Sequence, residues 1–267
     1  MKIAVHISFF YLEQRISYIN RILLETAKYR EYTDVFIHTN SATLTPDAFM
    51  PYINGIIHIV YHDLSDTHPY YLTWKCRGLM FEQRDEYDVF MYLEDDVLVP
   101  ANAIEYWIKY NPLLVPINYN LGFLRIETDE ANGCNKEYIT DLHGDRFDHL
   151  LEIGDATFCV NNKNPFCAFW IYSREEFGRF IGSDIYRFCN NPDRYDIREL
   201  SAVGFHGEKM GRYINTVIPI IQSKLCEGCK IYHMSNNYIT NHHSSFATIP
   251  FDDAIISNPV MTKRTVL

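Results

Sequence analysis

The sequence predicts an α/β fold built around a mostly parallel central sheet that is flanked by helices. Apolar, strand-like runs alternate with helix-like segments through the first hundred residues. This rhythm is typical of βαβ units, in which helices cover both faces of a parallel sheet. The rest of the chain has shorter strands and longer connections. We therefore expect a smaller, antiparallel part beside the parallel one.

Four strands and two helices are expected in residues 1–100. Ile16, Ile19, Leu23 and Ala27 recur at helical spacing, which gives the first helix one apolar face. The strand runs are rich in β-branched and aromatic residues. In chain order, the expected elements are the strand Lys2–Phe10, the helix Leu12–Tyr29, the strands Asp34–Thr39 and Ile56–His62, the helix Tyr70–Arg84 and the strand Tyr87–Leu93.

Residues 101–267 are expected to form the second half of one domain, because no linker composition separates the halves. Ser173 and Glu176 have the spacing of a helix capping box, and Trp170 is expected in the core. The elements expected here are the strands Leu121–Glu127, Ala156–Val160 and Phe166–Tyr172, the helices Arg174–Ile181 and Ile197–Met210, and the strands Thr216–Ile221 and Lys230–His233.

The composition excludes some classes of function. The 24 basic and 34 acidic residues give a net charge of −10, which argues against a nucleic-acid partner because such proteins need a basic face. The seven cysteines are odd in number and lack a disulfide framework, which favours a reducing compartment. The N-terminus enters an apolar strand without the features of a secretory signal, and no long apolar stretch would span a membrane. We therefore expect a cytoplasmic protein.

Three consecutive carboxylates, Glu94, Asp95 and Asp96, directly follow the apolar run Tyr87–Leu93. Ligands of open α/β sheets bind beyond the carboxyl ends of the strands, where these acids are expected to lie. Adjacent carboxylates repel one another unless a cation is present, and Mn²⁺ or Mg²⁺ takes oxygen ligands from carboxylates and from substrate phosphates. The sequence therefore predicts a site for a metal and a diphosphate.

The stretch Tyr87–Pro100 resembles the DxD region of GT-A-fold glycosyltransferases, here written Glu-Asp-Asp. The resemblance implies a Rossmann-like GT-A domain over residues 1–267, with a nucleotide-sugar-binding half at 1–100 and an acceptor-side half at 101–267. It implies Mn²⁺ or Mg²⁺ bound by Asp96, with Glu94 facing ribose or a metal-bound water and Asp95 at the variable position. Glu for Asp at the first position departs from the family pattern.

The same resemblance implies a donor site at the ends of the first strands and on the helix before the acids. The donor would be a nucleotide sugar, with a UDP-sugar favoured and a GDP-sugar possible. Lys75 or Arg77 would neutralise phosphate, and Asp63 would accept a hydrogen bond from the base. Beside Glu94 and Asp95, the donor-binding candidates are His6, Ser8, Asn40, Asp63, Thr73, Lys75 and Arg77.

The acceptor side is implied by Asn164–Phe177, which resembles the corresponding family segment, and by His233, which matches a C-terminal metal ligand. The acceptor would be a hydroxyl of an oligosaccharide or glycan, and transfer of a hexose or pentose with inversion is favoured. Inversion requires a general base. Glu199 is the first candidate for this base, Glu208 the second and Asp155 the third, while a solvent-facing carboxylate is the ordinary alternative for each.

Three other functions compete with this interpretation. A sugar-phosphate nucleotidyltransferase would carry a glycine-rich, basic loop after the first strand, but Ser8–Leu12 contains no glycine. A metal-dependent phosphohydrolase would spread several His ligands over the strand ends. A non-catalytic sugar-binding protein on a degenerate fold would have no need for three acids and a downstream His.

Overall fold

The structure, a computed structural model, describes residues 1–130, 135–187, 196–209, 215–241 and 244–264, with only the backbone of 207–209 and 264. The chain divides into two compact units. The first unit consists of Met1–Ala101 and Ala168–Phe205, and the second of Asn102–Cys167 and His206–Leu267. Residues 168–205 thus cluster with the first hundred residues of the chain. Whether the chain is a single domain stays a prediction.

The strands and helices of the described residues are as follows. Through residue 98 they are β1 Lys2–Phe9, α1 Ile16–Thr26, β2 Tyr32–Thr39, β3 Ile57–Tyr61, α2 Leu72–Glu82, β4 Val89–Glu94 and β5 Val97–Leu98. Next come α3 Ala101–Leu114, β6 Asn120–Leu121, β7 Leu124–Asp129, β8 Lys136–Ile139, β9 Phe147–Ile153, β10 Ala156–Val160, β11 Phe169–Ser173 and α4 Arg174–Ile181. The last are α5 Ile197–Ser201, β12 Thr216–Ile221, β13 Lys224–Leu225, β14 Lys230–His233, β15 Ile249–Pro250 and β16 Ile255–Arg264.

The first unit contains a mixed sheet of order β11-β4-β1-β2-β3. The pairs β1–β2, β1–β4 and β2–β3 are parallel, as the sequence predicted, while β11 is antiparallel to β4. Ser8 of β1 is in register with both His38 of β2 and Glu94 of β4. The carboxyl ends of these three strands therefore lie at one edge of the sheet, where the acids follow β4.

Apolar burial explains why these segments form a sheet covered by helices. Strand β1 is buried at every position from Ile3 to Phe9, which is typical of a strand covered on both faces. Helix α1 buries Ile19, Ile22, Leu23 and Thr26, a spacing that places all four on one face. Trp170 of β11 is 1% exposed, which confirms its place in the core.

The capping box predicted for the helix after β11 is confirmed. The Ser173 hydroxyl accepts from the Glu176 amide at 3.2 Å, and the Glu176 carboxylate accepts from the Ser173 amide at 3.0 Å. Both interactions satisfy amides that have no partner within the helix. The box fixes the turn between β11 and α4.

The helix predicted at Ile197–Met210 is wrong beyond its first turns. Helix α5 ends at Ser201, and a 3₁₀ helix follows at Gly204–Lys209. Gly204 has φ +54°, which ends an α-helix, and a side chain there would lie 2.2 Å from the Tyr172 hydroxyl. Met210 lies outside the described residues.

The second unit is not purely antiparallel, which corrects the sequence-based expectation. Its strands form mixed sheets with the orders β13-β12-β10-β9-β16 and β15-β8-β7-β14. Parallel pairing occurs in β6–β12, β7–β14 and β9–β16. The chain is thus a mixed α/β protein. Among the described residues, no helix is long and apolar enough to cross a membrane.

Candidate functional site

The acidic triplet occupies the turn that follows β4. Glu94 ends the strand, Asp95 is 4% exposed, and Glu94 and Asp96 are partly exposed. The turn leads directly into β5, whose Val97 is fully buried. Because buried apolar residues precede and follow the acids, the backbone has little freedom to move them into open solvent. The carboxylates are therefore held together at the edge of the sheet.

Arg15 places its guanidinium against two of these acids. Its Nη2 donates to Asp96 Oδ2 at 2.6 Å and lies 3.1 Å from Asp95 Oδ1. Arg15 ends the 3₁₀ turn Glu13–Arg15 just before α1. The side chain is 28% exposed, whereas those of Asp95 and Asp96 are 6% and 13% exposed. One guanidinium thus partly neutralises two buried carboxylates.

The pKa of Asp95 is raised strongly. It lies at about 8, chiefly because the carboxyl is buried and also because of the charges of Asp96 and Glu94, while Arg15 acts in the opposite direction. Its Oδ2 is buried and has no hydrogen-bond partner among the described residues. A buried carboxylate oxygen without a partner is costly unless it takes a proton or a cation.

A cavity of about 290 Å³ lies over the acids within the first unit. Its lining combines five charged side chains, those of Arg15, Arg198 and the three acids, with apolar and aromatic side chains. The lining residues are Ser8, Phe10, Leu12, Arg15, Pro69, Tyr70, Leu72, Thr73, Glu94, Asp95, Asp96 and Arg198. A lining that is both charged and apolar suits a ligand that carries both phosphate and ring groups.

Arg198 supplies a second guanidinium to this cavity. Its pKa is raised by the charges of Glu94, Asp196 and Asp96 and by Tyr70, against the opposing effect of burial. The guanidinium carbon lies 5.3 Å from the centre of the Tyr70 ring, which is cation–π distance. Arg198 is therefore a positive charge that lies near the Tyr70 ring and is favoured by the charges of the acids.

Four of the predicted donor-binding residues line the cavity: Ser8, Thr73, Glu94 and Asp95. Ser8 Oγ lies 3.4 Å from the Tyr92 hydroxyl, and Thr73 Oγ1 donates to the Tyr70 carbonyl at 2.8 Å. Both hydroxyl oxygens keep lone pairs that can accept from a ligand.

His6, another predicted donor-binding residue, does not line the cavity. It belongs to a row of three hydrogen-bonded imidazoles. His6 Nδ1 is 2.9 Å from His38 Nε2, and His38 Nδ1 is 2.9 Å from His62 Nε2. Burial lowers the pKa of His6 to about 3 and lowers the pKa of His38 well below its usual value. Both rings are therefore neutral at physiological pH and offer no positive charge to a phosphate.

Arg77 is placed in the protein interior. Its guanidinium donates to the carbonyls of Ile185, Tyr186 and Ser201, and it lies 4.0 Å from the Trp74 ring. These contacts connect α2 to the segment that precedes α5, so they give Arg77 a structural role. Neighbouring Lys75 is exposed.

Asn40 and Asp63 both make local turn contacts. Asn40 Oδ1 accepts from the Tyr11 amide at 2.8 Å, which positions the loop after β1. Exposed Asp63 accepts from the Ser65 amide at 2.9 Å, and this hydrogen bond lowers its pKa. Neither residue is among those that line the acid cavity.

Glu199 forms a capping box with Asp196 at the start of α5. Its Oε2 accepts from the Asp196 amide at 3.2 Å, and Asp196 Oδ1 accepts from the Glu199 amide at 2.9 Å. Asp155 is exposed in the turn between β9 and β10 of the second unit. The Glu208 side chain lies outside the described residues. A catalytic role for any of the three stays a prediction.

His233 is buried at the end of β14 in the second unit. Its Nδ1 lies 2.6 Å from Glu127 Oε1, and Glu127, fully buried, also accepts from the Tyr238 and Ile239 amides. Metal-binding histidines commonly donate their second ring N–H to such a carboxylate. The Ser235 hydroxyl lies 2.8 Å from Nε2. His233 as a metal ligand stays a prediction.

The donor atoms of the three acids suit a hard divalent metal, but their positions do not form a complete set of metal ligands. They offer oxygen donors only, including the buried Oδ2 of Asp95 that has no partner, and these suit Mn²⁺ or Mg²⁺. However, no group of three or more His, Cys, Asp or Glu within the described ranges is arranged to hold a metal ion. A metal here would take one or two carboxylates and complete its shell with phosphate and water.

A second cavity carries fewer charged lining residues than the acid cavity. This larger cavity of about 560 Å³ lies in the second unit and is formed by residues of β9, β12, β13 and β16 and their connections. Its charged lining residues, Lys224 and Asp252, form an exposed ion pair at 2.8 Å. It thus lacks the concentrated charge of the acid cavity.

Comparison with solved structures finds a likeness to the crystal structure of S. aureus TarS 1–349. The TM-score is 0.42 and the sequence identity is 12%, over 90% of this chain and 63% of that chain. This chain therefore spans less than two thirds of the TarS chain. No protein-family model matches the sequence, and no curated protein matches it. At this level, the likeness identifies neither a substrate nor a reaction.

Arg15 is the cavity residue that reading the sequence missed. Its acidic partners lie about eighty residues away in the chain, so no local spacing connects them. A signal did exist, because three adjacent acids require a cation and Arg15 follows the first parallel strand.

Proposed function

We propose that the protein is a divalent-metal-dependent glycosyltransferase of the GT-A type. It would move a hexose or pentose from a nucleotide-diphosphate sugar, UDP-linked by preference or else GDP-linked, to a glycan hydroxyl. The observation that supports this most is the acidic triplet at the carboxyl end of β4, which lines a cavity with Arg198, Ser8 and Thr73. Ligands of parallel sheets bind at this edge.

The charges of the cavity suit a diphosphate. Mn²⁺ or Mg²⁺ on Asp96, with Asp95 or Glu94 beside it, would supply Lewis-acid stabilisation of the leaving diphosphate. Arg198 places a positive charge near the same oxygens. The Tyr70 ring and the apolar residues that line the cavity would cover the base or the sugar and keep water out.

The proton of the acceptor hydroxyl needs a base in an inverting reaction. Glu199 remains the first candidate because it lies one residue from Arg198. Its capping hydrogen bond uses Oε2, so Oε1 is the oxygen that would accept the proton. Glu208 and Asp155 remain the second and third candidates, and His233 the candidate for a further metal ligand.

A panel of UDP- and GDP-sugars tests the reaction directly. With Mn²⁺, one of these donors should undergo slow hydrolysis or transfer to an added oligosaccharide, and EDTA should abolish the reaction. Asp96→Ala should lower the rate by at least about a hundredfold, while Asp85→Ala, which changes an exposed acid outside the cavity, should not. Proton NMR of the released sugar would show inversion at the anomeric carbon.

Two results would contradict the proposal. Release of pyrophosphate from a nucleoside triphosphate and a sugar phosphate would indicate a nucleotidyltransferase. Sugar binding without turnover of any donor, unaffected by Mn²⁺ and by Asp96→Ala, would indicate a non-catalytic binding protein.

A further inference from the structure

The acid pair Asp95–Asp96 already holds a counter-ion from its own chain. Arg15 Nη2 bridges the two side chains, at 2.6 Å from Asp96 Oδ2 and 3.1 Å from Asp95 Oδ1. A divalent cation bound by both carboxylates would place its charge beside this guanidinium, and a cation bound through these two oxygens would take its place. A guanidinium and a metal ion cannot occupy the same space on the same lone pairs. Binding of one therefore requires at least partial departure of the other.

The position of the Arg15 side chain allows its guanidinium to move away from Asp95 and Asp96. Its side chain is 28% exposed, unlike the acids, and it extends from the short turn before α1 rather than from the sheet. In its acid-bound position the guanidinium carbon lies 5.8 Å from the ring of Tyr18, a residue of α1. Arginine retains its charge in either position.

One carboxylate oxygen in the cavity could bind a cation and is not in contact with Arg15. Asp95 is 4% exposed and lines the cavity, yet its Oδ2 has no hydrogen-bond partner among the described residues. Arg15 approaches the other oxygen of this carboxylate. The acid pair is therefore only partly neutralised while Arg15 occupies it.

We infer that Arg15 is a tethered cation that competes with the divalent metal for Asp95 and Asp96, and that its displaced guanidinium binds the phosphates of the donor. This inference rests on the proposed function for the identity of metal and donor. In the absence of metal, Arg15 holds the acids together. In its presence, the guanidinium is released within the cavity, where a diphosphate would need positive charge.

Mn²⁺ binding without nucleotide tests the competition. Free Mn²⁺ is counted by electron paramagnetic resonance during titration of the wild type, Arg15→Gln and Arg21→Gln, the last being an exposed arginine of α1 outside the cavity. Arg15→Gln should bind Mn²⁺ roughly tenfold more tightly than the wild type, because the competing ion pair is gone. Arg21→Gln should match the wild type. Equal or weaker Mn²⁺ binding by Arg15→Gln would overturn the inference.

Thermal unfolding covers the case in which Arg15→Gln is unstable. Without Arg15 the acids repel one another, so Mn²⁺ should raise the melting temperature of Arg15→Gln more than that of the wild type or Arg21→Gln. A smaller or equal Mn²⁺ shift in Arg15→Gln would contradict the competition. Adding Asp96→Ala to Arg15→Gln should remove the extra shift.

Nucleotide binding separates this inference from the proposed function. At saturating Mn²⁺, Arg15→Gln should bind UDP roughly tenfold more weakly than the wild type, which tests the second role of the guanidinium. Unchanged UDP affinity would overturn that role. If no nucleotide binds the wild type while Arg15→Gln still binds Mn²⁺ more tightly, the proposed function fails and the competition stands.

Discussion

At the residue scale, similar side chains have different tasks according to their burial and partners. Arg15 and Arg198 line the acid cavity, whereas Arg77 is 5% exposed and donates to three backbone carbonyls. Burial also lowers the pKa of Arg77, a cost that its hydrogen bonds and the Trp74 ring offset. The positive charge of an arginine in the sequence therefore did not show whether its side chain lines the cavity or lies in the interior.

Arg77→Ala should destabilise the protein by about 3 kcal/mol, because it leaves three backbone carbonyls, one of them in a buried contact, without their donor. Lys75→Ala, on the exposed face of the same helix, should change stability by less than about 0.5 kcal/mol. Urea unfolding followed by fluorescence measures both. Similar stability of the two variants would contradict a structural role for Arg77.

Glu199→Gln separates catalysis from helix capping. Glutamine at this position can still accept from the Asp196 amide, as in other capping boxes, so stability should be unchanged. If Glu199 is the base, the rate of sugar transfer should fall by roughly a hundredfold or more. Asp196→Ala is the control for the cap and should lower stability by about 1 kcal/mol. Full activity of Glu199→Gln would show that Glu199 is not the general base and that another carboxylate has this role.

At the scale of secondary-structure elements, the candidate site lies where the parallel strands of the first unit end. Runs rich in β-branched and aromatic residues predicted β1 to β4 well, and β1, β2 and β4 are buried at all but one end position. The same reasoning failed for α5, where Gly204 ends the helix, and it missed β8, β9 and β16, which alternate or expose their side chains. Their pairing depends on partners that are distant in sequence, as in the parallel pair β9–β16.

Gly204→Ala tests the turn that ends this helical segment. Gly204 has φ +54°, and a side chain there would lie 2.2 Å from the Tyr172 hydroxyl, which accepts from the Phe205 amide at 2.6 Å. The change should cost about 2 kcal/mol or more through strain and loss of this hydrogen bond. Gly78→Ala, in α2 with open space around it, should instead be neutral or stabilising. Differential scanning calorimetry compares the two, and equal melting temperatures would refute the argument.

At the scale of the whole molecule, both units bury neutral histidines that reading the sequence could not have identified as such. Burial lowers the pKa of His6 in the first unit to about 3, and that of His206 in the second unit to about 4. In the unfolded chain each titrates near 6.5. The unfolded state therefore binds protons first as the pH falls, and stability is lost from about pH 6.5 downwards.

Between pH 7.5 and 5.0, each of these histidines should remove up to roughly 2 kcal/mol of stability. His206→Gln retains a partner for the Thr216 hydroxyl, which lies 2.9 Å from His206 Nδ1, and should reduce the pH dependence by that amount. The exposed His143→Gln is the matched control. Urea unfolding at the two pH values provides the measurement, and an unchanged pH dependence in His206→Gln would show that His206 is not buried as a neutral ring.

The central proposal for the whole molecule is that the acids after β4 bind a nucleotide diphosphate through a divalent metal. Calorimetric titration of UDP and GDP, with and without Mn²⁺, tests this claim on the wild type, Asp96→Ala and Asp85→Ala. One nucleotide should bind in Mn²⁺, and its affinity should fall by at least about tenfold without the metal or in Asp96→Ala, but not in Asp85→Ala. Absence of binding by both nucleotides, or binding that ignores both Mn²⁺ and Asp96, would contradict it.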